Sequence, residues 1–286
     1  MKTHQRWYDL AFLAPGTIVF LLFMVVPVTA SLYFSFTNWN GISPNYRWIG
    51  LDNFVRLAGD RAFLRSMAVT GAITVLTTAA VNIVGILAAV AIDRPGRLFA
   101  TGKTLVFIPA ILSPVVVSFI WAYMTQTNGG IINTLLATVG LPGIDLYQGQ
   151  ATVTVMISGV ISWAALGFYT TVYIANLRSI PIELYEAASI DGASAVRRLV
   201  SITLPMLRPA ITINTITAVI WGLKQYDFVR IMVPGYIRTV AVYAIERAMD
   251  FNMFGYSSAI VFVLLIMTLL ISALQMRILG RGSDGY

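Results

Sequence analysis

Six long apolar stretches, almost free of charge, set the limits on how this chain can fold. They run from about Leu10 to Phe36, Ser66 to Ile92, Thr104 to Tyr123, Ala151 to Leu177, Pro209 to Leu223 and Tyr256 to Met276. A helix needs about 20 residues to cross the hydrocarbon of a bilayer. Five stretches meet that length; the fifth is the shortest and is expected to extend into the polar residues after it. Pro15, Pro27, Pro109 and Pro114 fall inside spans, where neighbouring helices re-satisfy the freed backbone groups. The first stretch is too long for a cleaved signal peptide and lacks a small-residue cleavage site, so it reads as a retained anchor.

Composition agrees. The chain is 58% hydrophobic and 11% charged, with a mean hydropathy of +0.79, where a soluble domain carries about 25% charged residues. The fold expected is all-α: a polytopic membrane protein with a tail at residues 1–9 and one transmembrane domain over 10–286. The net charge of +7 resides in short segments between apolar runs. Orientation and lipid headgroups explain it better than nucleic acid. Cysteine is absent, which excludes disulfides, thiolate metal sites and thiol catalysis. The lone histidine, His4, reads as a surface residue, and no span holds clustered carboxylates. Neither an enzyme nor a metal site is expected.

Six spans put both termini on one side. With the N-terminus inside, the inner segments hold eleven Lys and Arg and the outer segments eight, a small bias toward cytoplasmic termini.

The segment "PGRLFATGKT", residues 95–104, nearly matches a phosphate-binding loop. The pattern requires Gly, four residues, then Gly-Lys-Ser/Thr. Gly102, Lys103 and Thr104 supply the tail, but Arg97 stands where the first glycine belongs. A working loop joins a strand to a helix in a soluble α/β domain. Here the segment is a basic turn between apolar runs, so no nucleotide site is expected on this chain.

The longest polar excursion expected on the inner side is "RSIPIELYEAASIDGASAVRRLVSITLPMLRP", residues 178–209. It carries Arg178, Glu183, Glu186, Asp191, Arg197, Arg198 and Arg208. Burying these charges at the bilayer centre would cost on the order of 20 kcal/mol, so the segment lies outside the hydrocarbon. Pro181 suits a first helical turn, and Glu183 and Glu186 suit the positive end of its dipole. Leu184, Ala187 and Ala188 form a small, smooth face at helical spacing. Gly192 permits a sharp turn, and a second short helix over Ala193–Ile202 is expected to stop before Pro205. Two short helices meeting at a glycine make a knob that another protein can grip. The same pattern equally fits a helix lying on the membrane surface.

Glu186-Ala187-Ala188, three residues, Gly192, nine residues, Ile202, one residue, then Leu204-Pro205 reproduces the EAA motif. With its flanks, the chain resembles the permease subunits of ABC importers, most closely the MalF/UgpA/SugA-like carbohydrate-uptake branch of the type I importers (MetI-like fold). "LAPGTIVFLLFMVVPVTASLYFSFTNW", "WIGLDNFVRL", "GGIINTLLATVGLP" and "FGYSSAIVFVLLIM" extend the similarity along nearly the whole chain. The resemblance implies that residues 181–202, within a loop over 178–208, form a coupling helix docked on a separate cytoplasmic ATPase. Glu186 would be its polar anchor, Ala187 and Ala188 would permit close approach, and Asp191 and Gly192 would form the bend. It further implies a heterodimer with a second homologous permease, two ATPase copies carrying ATP and Mg, and an extracytoplasmic sugar-binding protein. The setting would be a bacterial cell membrane with both termini cytoplasmic. No cofactor would be held by this chain itself.

Sugars are held by aromatic faces with amide and hydroxyl groups. By the resemblance, Ser113, Trp163, Phe168, Trp221 and Gln225 fall at or near cargo-binding positions. Trp221 and Gln225 also share one helix face at i, i+4. Against this, membrane tryptophans commonly sit in interfacial belts and serines close up helix packing. Lys224, Asp227 and Arg230 follow the fifth stretch. They suit snorkelling and pairing at the outer surface, or the charge set of an ion-coupled carrier. The chain departs from the family where "MVPGYIRT" replaces the usual Thr-Gly-Gly-Pro turn. Two other readings stay open: a permease for a non-sugar cargo such as glycerol-3-phosphate, and an ion-coupled secondary carrier. The carrier would be expected to show internal repeats, and none is found.

Overall fold

A computed structural model describes residues 12–280. The expected tail at 1–9, with His4, and the final six residues lie outside them. The elements are α1 (Phe12–Ser35), α2 (Asp52–Gly59), α3 (Arg61–Ile92), α4 (Arg97–Ile111), α5 (Pro114–Met124), α6 (Ile131–Thr138), α7 (Gln150–Leu177), α8 (Ile182–Ile190), α9 (Ala195–Met206), α10 (Arg208–Leu223), α11 (Asp227–Met232), α12 (Val240–Met249) and α13 (Phe254–Gly280). Among the described residues, α1, α3, α7 and α13 are each long and apolar enough to cross a membrane. Two bent pairs, α4 with α5 and α9 with α10, raise the number to six if each pair counts as one crossing.

The third apolar stretch was expected to be one rod and is instead broken, with α4 and α5 meeting at 99°. Leu112 and Ser113 are extended, with ψ of 143° and 137°. Ser113 precedes Pro114, and the proline ring drives the residue before it out of the helical region. Hydropathy records composition, not direction, so the corner is invisible to it.

The second knob helix also differs from expectation. It does not stop before Pro205 but runs on to Met206 as α9. Leu199–Thr203 winds as a π-turn in which the Leu204 amide donates to the Leu199 carbonyl. The wider turn relieves the clash between a proline ring and the carbonyl one turn back. The same device appears in α1, where the π-turn Leu21–Val25 precedes Pro27 by the same interval. The chain then turns by 68° at the fully buried Leu207 before α10.

The described chain divides into two compact units. In the first, residues up to Leu64 pack with Tyr243–Ile266. The loop between α1 and α2 is closed by an antiparallel bridge between Thr37 and Trp48. The Asn53 amide donates to the carbonyls of Ser35 and Thr37, both at 2.9 Å. Asp60 knots this unit together. Its Oδ1 caps the start of α3 by accepting from the Ala62 and Phe63 amides. Its Oδ2 accepts from the hydroxyls of Tyr243 at 2.5 Å and Tyr256 at 2.6 Å.

The second unit spans Arg65–Val242 and the chain from Met267. Its core joins Val69 and Ile73 of α3, Val117 of α5, Val153, Ile157 and Ile161 of α7, and Phe228 and Val229 of α11. A second cluster joins Ile86, Ala89, Tyr173, Leu207 and Ala210. α4 and α7 approach closely because position 167 is glycine: a Cβ there would lie 2.6 Å from the Val106 carbonyl oxygen. Along α7, the hydroxyls of Thr154, Ser158 and Ser162 each donate to the carbonyl four residues back. A span can thereby carry hydroxyls without leaving them unpaired in an apolar setting.

Candidate docking knob and cargo cleft

α8 starts after Pro181, which is its N-cap rather than a first-turn residue, and Glu183 lies in its first turn. The helix ends in a Schellman arrangement. The Gly192 amide donates to the Ser189 carbonyl at 3.1 Å and the Ala193 amide to the Ala188 carbonyl at 2.8 Å. Gly192 has φ of +72°, a conformation open to glycine at no steric cost. Glu186, Ala187 and Asp191 are exposed beside it, and Ala188 is half-buried. Large apolar side chains are exposed as well: Ile182, Leu184 and, at 87% exposure, Ile190. The knob therefore presents a mixed surface: a carboxylate, a smooth alanine patch and bare isoleucines.

The back of the knob is tied down. The Tyr185 hydroxyl lies 2.9 Å from that of the buried Thr203. Arg198 Nη1 donates to the Ser189 hydroxyl at 2.9 Å. Ser194 caps α9 through the Arg197 amide. α8 and α9 thus form one braced unit, with the π-turn as its second attachment point.

The front of the knob joins α7 at Arg178. The Arg178 guanidinium and the Lys103 ammonium both reach Asp93 Oδ1, at 2.9 and 3.0 Å. Burial pushes the Asp93 carboxyl upward, but the hydrogen bonds from Arg178 and then Lys103 outweigh it and hold it below its ordinary value. The hydrogen bond to Asp93 in turn raises Arg178. Nothing in the sequence marked Asp93, a single acid at the end of an apolar run. The near phosphate-loop motif also finds its explanation here. Gly102, Lys103 and Thr104 lie inside α4, where a glycine-rich loop would be needed, and Lys103 is turned to Asp93.

The five cargo candidates divide. Phe168 and Trp221 line one cleft of about 230 Å³, with Ala110, Ala164, Tyr169 and Thr217 among its walls. Trp221 and Gln225 border a neighbouring cleft with Pro114, Lys224 and Asp227. The Gln225 side chain is only 7% exposed, and its Nε2 donates back to the Trp221 carbonyl at 3.3 Å. Trp163 lies apart from both clefts and meets Trp121 edge-on at 5.5 Å between centroids. Ser113 is exposed at the α4–α5 corner, in the N-cap position before Pro114, and its side chain makes no capping hydrogen bond. Thr217 and Ala110 are wall residues that sequence reasoning did not single out. Periodicity gives no reason to prefer them.

The described residues thus form a helical membrane protein with two bent apolar pairs and a capped, exposed knob between α7 and α10. Residues 81–281 match the family described as the inner membrane component of binding-protein-dependent transport systems. The diacetylchitobiose uptake system permease protein NgcF of Streptomyces coelicolor is 31% identical, over 97% of this chain and 84% of that protein. The multiple sugar-binding transport system permease protein MsmF of Streptococcus mutans is 26% identical, over 97% of each chain. In fold, the chain matches a bacterial alginate ABC transporter, solved in complex with an alginate pentasaccharide-bound periplasmic protein. The TM-score is 0.86, with 21% identity over 99% of this chain and 97% of that one. This chain belongs to the binding-protein-dependent transport family, as a multi-pass membrane permease component.

Proposed function

We propose that this chain is a permease subunit of an ATP-driven importer that moves a sugar or related polyol handed over by an extracytoplasmic binding protein. ATP and Mg belong to a partner ATPase, present in two copies, and a second homologous permease completes the pathway. α8 faces the cytoplasm, and so do both termini. The observation that carries this reading is the knob itself. Its exposed isoleucines and Glu186 need a partner surface, and its Schellman cap and rear hydrogen bonds give it the stiffness that force transmission requires. Glu186 is the polar anchor, Ala187 and Ala188 admit close approach, and Asp191 and Gly192 form the bend.

Cargo is assigned to the cleft between Phe168 and Trp221, which is lined by aromatic rings, alanines and Thr217 and by no charged residue. That lining suits a neutral sugar, and a phosphorylated cargo would want cations there. The sugar relatives named above point the same way. Purification of the native complex tests the reading. The ATPase is expected to co-elute with the wild-type chain and to be lost from Glu186→Lys, while the permease remains in the membrane. Recovery of the chain without any ATPase favours an ion-coupled carrier instead.

A further inference from the structure

A push on α8 reaches the spans only through its two attachments. The rear one, Tyr185 to Thr203, leads through the π-turn toward α10. The front one is short. Ser179, Ile180 and Pro181 alone separate Arg178 from α8, and they carry little slack. The Ser179 amide donates to the Asn176 carbonyl and the Ile180 amide to the Leu177 carbonyl, both at 3.2 Å, and Ile180 is buried. Arg178 therefore moves with the root of the knob.

Arg178 is also bonded across the fold. Its Nε and Nη2 donate to Asp93 Oδ1 at 3.1 and 2.9 Å, and Nε lies 3.4 Å from Oδ2. Lys103 reaches the same carboxylate from α4. Asp93 follows the last residue of α3, and its amide still donates to the Ala89 carbonyl at 2.9 Å. One carboxylate thus joins the ends of α3 and α7 to the middle of α4. Its side chain is 16% exposed and that of Arg178 is 63% exposed. A pair this open to solvent is screened and contributes little to stability. What a guanidinium fork offers at such a place is fixed direction.

We infer that Asp93 is a positioning residue for energy coupling: its junction with Arg178 and Lys103 makes α3 and α4 travel with α7 when α8 is displaced. The inference rests on the reading of α8 as the ATPase-docking element. Without the junction, α3 would still be tied to α7 by the hydrogen bond from the Tyr173 hydroxyl to Asn82 Oδ1, but their ends beside the knob would lose their polar link, and α4 would follow α7 only through its packing at Gly167.

The test measures distances in the assembled transporter. The chain has no cysteine, so nitroxide labels at Glu183→Cys and Leu98→Cys are its sole thiol labels, with partner cysteines replaced beforehand. Both sites are exposed, one on α8 and one on α4. The label-to-label distance is read without nucleotide and with ATP trapped on the ATPase. It should stay constant within about 1 Å in the parent, shift by about 2 Å or more in Asp93→Asn on ATP binding, and be constant again in Asp93→Glu. If Asp93→Asn does not reach the membrane, Arg178→Gln replaces it and the same shift is expected. A distance that changes in the parent, or stays fixed in the variant, overturns the inference. The docking reading is checked separately by the label on α8 alone, which must lose mobility when the ATPase is added. An unchanged spectrum there refutes the docking reading itself.

Discussion

The hydroxyls of Tyr185 and Thr203 meet at 2.9 Å, eighteen residues apart, and bind α8 to the π-turn behind it. A hydrogen bond of this kind contributes about 0.5–1.5 kcal/mol net. A double-mutant cycle of Tyr185→Phe and Thr203→Val, read by unfolding in detergent, should return a coupling energy in that range. A value of zero means that packing and the Arg198–Ser189 bond hold the two helices together without it.

Gly192 turns the chain with φ of +72°. An L-residue in that region costs about 1–2 kcal/mol. Nothing crowds the position, since a Cβ there has open space around it. Gly192→Ala should therefore lower stability by that conformational amount only, while Gly192→Val should cost more and detach the ATPase. Equal stability of wild type and Gly192→Ala in thermal melts would contradict the assigned backbone.

Trp221 borders two clefts, whereas Trp163 stands outside both against Trp121. Trp221→Ala should raise the KM for uptake by about tenfold, the loss of one good aromatic contact. Trp163→Ala should leave KM within about twofold and act instead on stability, through a lost edge-to-face pair. Reversal of that order would move the cargo site toward α5.

Asp60 carries an acid dependence of defined sign. Burial raises its carboxyl, but the phenols of Tyr243 and Tyr256 and the amides of Phe63 and Ala62 together bring it below its ordinary value. A carboxyl depressed in the folded state stabilises fully above its unfolded value and loses that contribution as pH falls through the folded value. Stability measured downward from neutral pH should decline in the acid range in wild type. The decline should be shallower in Asp60→Asn, which should be less stable at neutral pH.

Much of the fold was legible because hydropathy and helical spacing report burial directly. α3, α7 and α13 fall close to their apolar stretches, and Gly192 sits at the turn where it was placed. The corner at Ser113 was also written in the sequence, as a residue before a proline, but a run of apolar residues hid it. The extension of α9 through Pro205 was missed for the opposite reason. Proline rules assume an α-helix, and a π-turn relaxes them. Asp93 escaped notice because its partners lie 10 and 85 residues away, beyond the reach of any local pattern. Among the cargo candidates, composition separated aromatics from aliphatics, but only the packing separated Trp221 from Trp163.

The corner between α4 and α5 makes a demand of its own. Pro114 has no amide hydrogen, and the Ser113 side chain does not cap the new helix. The amides of Val115 and Val116, in the first turn, thus have no carbonyl behind them within the helix. Lipid tails offer such groups nothing, and leaving them bare would cost several kcal/mol. That elbow must therefore be wet, or be pressed against another polypeptide.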